Sequence, residues 1–324
     1  MLNQWPFVTG DSRRYKVEPP FAVALQGGGA YGAYTWGILD RLLEERAFYP
    51  VALSGASAGA LNAVVLAHGL LTGGAEGARK DLAALWTAIG QMSVLNPLSL
   101  PGIDLQFEML TKMVSPYQFN PLNLNPLRDL VGGIVDFAKL HEQRRIGLFI
   151  AATDVVSGEP RIFREHEISL DVLMASSCIP SLNHAVEIEG RDYWDGGFSS
   201  NPPILPMVLD SPCRHLLVIK LTPDEEPGSL TAAPDISARL RRILFNTSLL
   251  RDLAALKEMR KQIRFTTLLS GDHRRLRDLV VRVVTIDHRF FGAGNGSALG
   301  PRHDLIDRLH RAGREAADAM LNGT

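Results

Sequence analysis

The chain has 324 residues, and 46% of them are hydrophobic, so it is long enough to bury a large core. Its formal net charge of −1 gives no overall attraction to nucleic acid or to an anionic membrane, and any such binding must come from a local patch. Only Cys178 and Cys213 are cysteines, and the start Met-Leu-Asn-Gln-Trp-Pro is unlike a signal peptide. We therefore expect a reduced, cytoplasmic setting, with peripheral contact at a membrane left open.

A glycine loop follows the first predicted strand. Residues 1–20 are largely polar and end in two prolines, so we expect an arm without regular structure. Phe21 to Leu25 is a short apolar run, typical of a strand that is covered on both faces. Gly27-Gly28-Gly29-Ala30-Tyr31-Gly32 comes next, and Thr35 to Arg46 has the periodicity of a helix packed on a sheet.

The second predicted strand runs into a sharp turn. Val51 to Leu53 is apolar and leads through Gly55-Ala56-Ser57-Ala58-Gly59 into a predicted helix that reaches Leu71. Gly-x-Ser-x-Gly is the nucleophile-elbow pattern, in which only very small residues fit around a serine pushed out at the strand's carboxyl end. Ser57 is therefore the candidate nucleophile. A tight turn of small residues is the alternative interpretation of this motif taken alone.

The glycine loop has two candidate uses. Gly27, Gly29 and Gly32 satisfy the dinucleotide fingerprint Gly-x-Gly-x-x-Gly between a strand and a helix. The next strand, however, lacks the Asp or Glu that would bind a ribose. Bare N–H groups at a helix N-terminus, one strand away from a nucleophilic serine, make an oxyanion hole. We therefore favour Gly27, Gly28 and Gly29 as an oxyanion hole, with nucleotide binding as the alternative.

A proline-rich apolar segment follows the elbow helix. Met92 to Leu130 mixes large apolar residues with five prolines, so its regular elements must be short. Such a segment suits a mobile cover over an apolar pocket, and an ordinary insertion packed on the core fits equally well.

The later strands lead to an aspartate. Arg145 to Thr153 is an apolar strand, and Leu170 to Ser176 is a short helix. Val186 to Trp194 alternates and turns at Gly190, as a hairpin does, and delivers Asp195-Gly196-Gly197 at its end. Taken alone, an aspartate followed by two glycines is a turn.

The C-terminal part begins after one more buried strand, His215 to Leu221. Residues 222–234 are rich in Pro, Gly and acids and form the best domain boundary, which gives an arm (1–20), a main domain (21–222) and a C-terminal subdomain (235–324). Ile236 to Arg264 is a long helical pattern whose polar side is basic. That side suits a membrane surface or an acidic ligand, and a plain solvated face is the alternative.

Four motifs in this order resemble the patatin-like phospholipases. They are Gly27 to Gly32, Gly55 to Gly59, Ala175 to Pro180 and Asp195 to Gly197, and the resemblance covers about residues 21–222. It implies an α/β fold with a mostly parallel central sheet sandwiched by helices, here with a small C-terminal helical or α+β extension. It also implies a lipid acyl hydrolase with a Ser-Asp dyad and no cofactor. By position, Ser57 resembles the nucleophile, Asp195 the base, and the loop amides the oxyanion hole.

The chemistry agrees with that assignment. A serine hydroxyl needs a base within hydrogen-bond reach, and a desolvated Asp195 would have a raised pKa suited to the task. His68 and His184 belong to no motif, so we interpret both as surface or packing residues, and no histidine and cysteine spacing predicts a metal site. Many relatives have Arg or Lys where this chain has Tyr31, so the loop here lacks a partner for a phosphate head group.

The sequence therefore predicts a serine acyl-ester hydrolase that works through an acyl-enzyme on an acyl-ester or lipid substrate, with no nucleic acid partner. An acyltransferase that uses the same serine is the alternative, and nucleotide binding is a weaker one.

Overall fold

The computed structural model describes residues 20–45, 48–95, 114–142, 145–226, 231–264, 271–291 and 304–323. Nearly all of the predicted N-terminal arm lies outside this part of the chain. So do residues 96–113, which make up about half of the segment predicted to be a cover.

A mixed sheet of eight strands in the described residues forms the centre of the fold, in the order β5-β6-β3-β2-β1-β7-β8 with β4 beside β3. The strands β1, β2, β3, β7 and β8 pair in parallel, whereas β4, β5 and β6 join by antiparallel pairing. The predicted mostly parallel α/β sheet is thus confirmed. The strand bounds are β1 Phe21–Leu25, β2 Ala52–Gly55, β3 Gly147–Asp154, β4 Pro160–Arg164, β5 Val186–Ile188, β6 Arg191–Asp195, β7 His215–Lys220 and β8 Val280–Thr285.

Helices cover both faces of the sheet. Along β1, Val23 and Leu25 join one apolar cluster with α1, α2 and the last helix, and Ala22 and Ala24 join a second cluster with α7, α8 and α9. A strand covered on both faces gains stability from apolar residues at every position, which explains its unbroken apolar run. The helix bounds are α1 Gly32–Leu42, α2 Ala58–Leu95, α3 Pro116–Phe119, α4 Pro126–Ile134, α5 Phe137–Glu142, α6 Leu170–Ser176, α7 Ile204–Asp210, α8 Ala233–Arg264, α9 Gly271–Arg277 and α10 Leu305–Asn322.

Helix α2 is a folded-back pair rather than one straight rod. Gly74 has φ 62° and ψ −152°, outside the helical region, and a Cβ at Gly69 would lie only 2.4 Å from Cα of Ala78. The glycine-rich run from Gly73 to Gly77 permits this break, because glycine adopts such backbone angles without steric strain. Within the described residues, Ala58–Met92 is the one helix long and apolar enough to cross a membrane by length and composition, and 72% of its apolar window is buried inside the protein.

The C-terminal elements share the sheet and the core of the main part. Strand β8 pairs with β7, and α10 packs closely on α1, where a Cβ at Gly37 would lie 2.0 Å from the backbone oxygen of His310. A methyl group there would force the two helices apart, so the contact requires glycine. The domain boundary at residues 222–234 stays a prediction. The described C-terminal strand β8 and helix α10 belong to the same sheet and the same core as the main part of the chain.

Candidate active site

The register of the sheet brings three predicted site elements to one level. Leu25 of β1 pairs with Gly55 of β2, and Gly55 pairs with Ile150 of β3, so these three residues lie side by side across the sheet. Gly27 and Ser57 each come two residues after the paired residue of their own strand. Asp195 pairs with Ala152 of β3, which is also two residues beyond Ile150. The glycine loop, the serine and the aspartate therefore meet at the carboxyl ends of the parallel strands.

Ser57 occupies a strained turn between β2 and α2. Its φ is 53°, in the left-handed region that side chains with a Cβ rarely adopt, and only 7% of the residue is exposed. A Cβ at Gly59 would lie 2.0 Å from the backbone oxygen of Leu25, and one at Gly55 would lie 2.5 Å from the Gly59 backbone. The small residues of the motif are thus required by close packing, as the elbow pattern demands.

The backbone of Ser57 is held by the end of α6. Its N–H donates to both the backbone oxygen and Oγ of Ser176, each at 3.1 Å. The N–H of Asp195 donates to the backbone oxygen of Cys178 at 2.8 Å. One short segment of chain, residues 176–178, therefore positions both the serine and the aspartate.

The carboxyl group of Asp195 is fully buried and only partly hydrogen-bonded. Oδ1 accepts from the Gly197 N–H at 2.7 Å, while Oδ2 makes no hydrogen bond of normal geometry within the described residues. Burial raises the pKa of Asp195 from 3.8 to about 7, and hydrogen bonding with the Ser57 hydroxyl and with the Gly197 N–H opposes that rise. Asp195 is thus a buried aspartate with a raised pKa beside a serine.

The two glycines after Asp195 have steric reasons to be glycine. A Cβ at Gly196 would lie 2.1 Å from the backbone oxygen of Ala151, and one at Gly197 would lie 2.2 Å from the ring of Phe245 on α8. These contacts hold Asp195 between the sheet and α8. The motif is therefore more than a surface turn.

The glycine loop lies directly against the elbow. A Cβ at Gly27 would lie 2.5 Å from the backbone oxygen of Ala56 and 2.8 Å from Cβ of Ser57. The Gly27 N–H, however, donates to Oδ1 of Asn201 at 2.6 Å, which makes it unavailable to a bound oxyanion. The N–H groups of Gly28 and Gly29 donate to no group in the described residues. Of the three predicted donors, only these two are free.

Asn201 is a site residue that no motif in the sequence indicates. It is buried, its Nδ2 donates to the backbone oxygens of Gly27 (3.3 Å) and Phe245 (3.0 Å), and its N–H donates to Oγ of Ser248 (2.9 Å). It thus ties the glycine loop to α8. The sequence signal is weak, because an asparagine before Pro202 is also typical of a plain turn.

Tyr31 is buried beside the glycine loop, and burial raises its pKa. Its ring lies 4.4 Å from that of Phe291, centroid to centroid, and Arg242 of α8 is close enough to oppose the rise in pKa. Arg242 donates from Nε to Glu226 at 2.9 Å, so its charge is already paired. A cation therefore lies near the loop although Tyr31 brings none.

Both histidines considered as alternative bases have partners of their own. His68 Nδ1 lies 2.9 Å from Oδ2 of Asp81, and His184 stacks on Tyr117 with ring centroids 4.0 Å apart. In the part of the chain that the structure describes, no group of three or more His, Cys, Asp or Glu side chains is arranged to hold a metal ion. Among the described residues, the candidate site is thus built from Ser57, Asp195, Asn201 and backbone groups.

Comparisons with known proteins give the family of the chain. The family model described as patatin-like phospholipase matches residues 23–208, more than half of the chain, and this range includes the glycine loop, Ser57 and Asp195. Among solved structures, the chain is similar to VipD from Legionella pneumophila, with 14% identity and a TM-score of 0.45 over 94% of this chain and 67% of that chain. No curated protein sequence matches.

Proposed function

Since the chain belongs to the patatin-like phospholipase family, a family of lipid acyl hydrolases, we propose that it hydrolyses acyl esters through a Ser57–Asp195 dyad and an acyl-enzyme. The observation that carries the proposal is the buried carboxyl group of Asp195, whose pKa is raised to about 7 and which interacts with the Ser57 hydroxyl. A base that titrates near neutral pH accepts a hydroxyl proton far more readily than an exposed aspartate.

In the acylation step, Oγ of Ser57 attacks the ester carbonyl carbon while its proton passes to Oδ2 of Asp195. The carbonyl oxygen gains negative charge, and the free N–H groups of Gly28 and Gly29 are the candidate donors to it. Collapse of the tetrahedral intermediate expels the alcohol, which takes the proton from Asp195. The serine is left acylated.

In the deacylation step, Asp195 removes a proton from water, and the resulting hydroxide attacks the acyl carbon. Ser57 leaves with the proton returned by Asp195, and the free acid is released. Because the same carboxyl group serves both steps, loss of its basicity should slow acylation and deacylation alike.

The test is an ester panel of varied acyl-chain length with the wild type, Ser57→Ala and Asp195→Asn. Ser211→Ala and Asp252→Asn are matched controls, since Ser211 is buried outside the site and burial also raises the pKa of Asp252. We expect the site variants to lose at least about a thousandfold in kcat and the controls to retain it. Full turnover by either site variant would contradict the dyad.

The same assay with an added alcohol acceptor separates hydrolysis from acyl transfer. Free acid as the main product supports a hydrolase. An acylated acceptor as the main product, lost in Ser57→Ala, would instead identify an acyltransferase that uses the same site.

A further inference from the structure

Helix α8 carries an apolar stripe on its outer face. Ile236, Leu240, Ile243, Leu244 and Leu250 are each between 47% and 55% exposed. Their spacings of three, four and seven residues place them on one side of the helix, over 15 residues or about 22 Å. Because about half of each of these five large side chains is exposed, the stripe forms an apolar patch of several hundred Å². This is near the upper limit of apolar patch size on a soluble monomer.

The opposite face of α8 is built into the candidate site. Phe245 packs on Gly197, and Ser248 accepts a hydrogen bond from the backbone of Asn201. Leu249 and Leu256 are buried in the core on the same side of the helix. Since the core already covers this face, the stripe on the outer face is not needed for folding, and a surface helix normally presents polar residues there.

The stripe is confined to the half of α8 that lies at the site. Beyond it, the described exposed residues of the helix are polar except for Ala254, and they include Lys257, Glu258 and Lys261. On the inner side of this half of the helix, the half-exposed ring of Phe198 lies 5.0 Å from the ring of Phe245. Phe198 is only three residues after Asp195, so the half of α8 that carries the stripe lies beside the catalytic loop.

We propose that this stripe docks the protein on a lipid surface that carries its substrate. The inference rests on the proposed function, since an enzyme that takes acyl chains from an aggregate needs an apolar surface beside its site. Charge favours an anionic lipid surface over a second copy of this chain, because cations outnumber anions among the exposed charged residues described on α8. These are Arg241, Arg251, Lys257 and Lys261 against Asp235 and Glu258.

The basic residues of α8 are not the main docking contact in this proposal. Arg239 and Arg242 both form ion pairs with Glu226, which satisfies two of its cations within the fold. The apolar residues between the charges supply the contact, and the exposed cations add attraction that salt would screen.

The test measures sedimentation of the protein with vesicles of phosphatidylcholine, alone or mixed with phosphatidylglycerol. All proteins carry Ser57→Ala, so that binding is separated from turnover. The stripe variant adds Leu240→Gln and Leu244→Gln. The matched control adds Leu71→Gln, an exposed leucine on α2 that lies about 20 Å along the helix from Ser57. Urea unfolding of each protein shows whether it is folded.

We expect the stripe variant to bind mixed vesicles at least about tenfold more weakly than its parent, and the control to bind like the parent. Equal binding by the folded stripe variant, no binding by the parent, or a stripe-dependent dimer in light scattering without vesicle binding would overturn the proposal. If the wild type is active but its Ser57→Ala form does not bind vesicles, the docking proposal is contradicted and the proposed function is not. An inactive protein that binds through the stripe contradicts only the proposed function.

Discussion

Replacing Asp195 by Asn should abolish turnover and also stabilise the fold at neutral and alkaline pH. The pKa of Asp195 is raised by burial from 3.8 to about 7. Below pH 3.8 the carboxyl group is protonated in the folded and unfolded chains, so it has no differential effect on stability. Between 3.8 and 7 only the folded chain keeps the proton, and the free energy of unfolding falls as the pH rises.

The size of the effect follows from the shift. Each pKa unit corresponds to about 1.4 kcal/mol, so the difference between 3.8 and about 7 amounts to about 4 kcal/mol once both states are ionised above pH 7. At pH 5 a little over one unit of this loss has developed, or about 1.6 kcal/mol. Asparagine has nearly the same shape and never ionises. Its stability advantage over aspartate should therefore grow by about 2 to 3 kcal/mol from pH 5 to pH 8.

The assay is urea unfolding of the wild type and Asp195→Asn at both pH values. Comparing the two proteins at each pH cancels the titration of every other group, and the change in their difference isolates Asp195. A difference in unfolding free energy that is the same at pH 5 and pH 8 would refute the claim that burial raises this pKa.

Three further predictions concern the site. Turnover should rise with pH through an apparent pKa near 7, because only ionised Asp195 accepts a proton, and a flat profile between pH 5.5 and pH 8 would contradict this. Gly27→Ala, whose Cβ would lie 2.5 Å from a backbone oxygen of the elbow, should lower kcat about a hundredfold, while Gly73→Ala, with open space around it, should keep wild-type kcat. Asn201→Ala should lower both kcat and the free energy of unfolding. The loss of unfolding free energy should be about 1 to 3 kcal/mol, because the buried partners of Asn201 lose their hydrogen bonds. Unchanged stability in urea unfolding would count against this structural role of Asn201.

Features fixed by local sterics could be predicted from the sequence. The elbow at Ser57 and the break near Gly74 both depend on backbone conformations that small residues or glycine allow, and such requirements are visible in the order of residues. The parallel sheet was also predictable, because strands covered on both faces need unbroken apolar runs.

Features that depend on long-range partners could not be predicted in the same way. Nothing in the glycine motif shows that the Gly27 N–H is taken by Asn201, which lies 174 residues away. Likewise, the pattern of α8 predicted an amphipathic helix, but which of its apolar residues face solvent depends on how the helix lies on the sheet. Tertiary packing determines which groups a residue bonds and whether its side chain faces the core or solvent.

The most direct test of the account is identification of the residue that a fluorophosphonate probe modifies. Such a probe phosphonylates a serine that is activated by a base. Digestion and mass spectrometry of the labelled protein should find the adduct on Ser57, with labelling abolished in Ser57→Ala and strongly slowed in Asp195→Asn. An enzymatically active protein that carries no adduct at Ser57 would contradict the central claim.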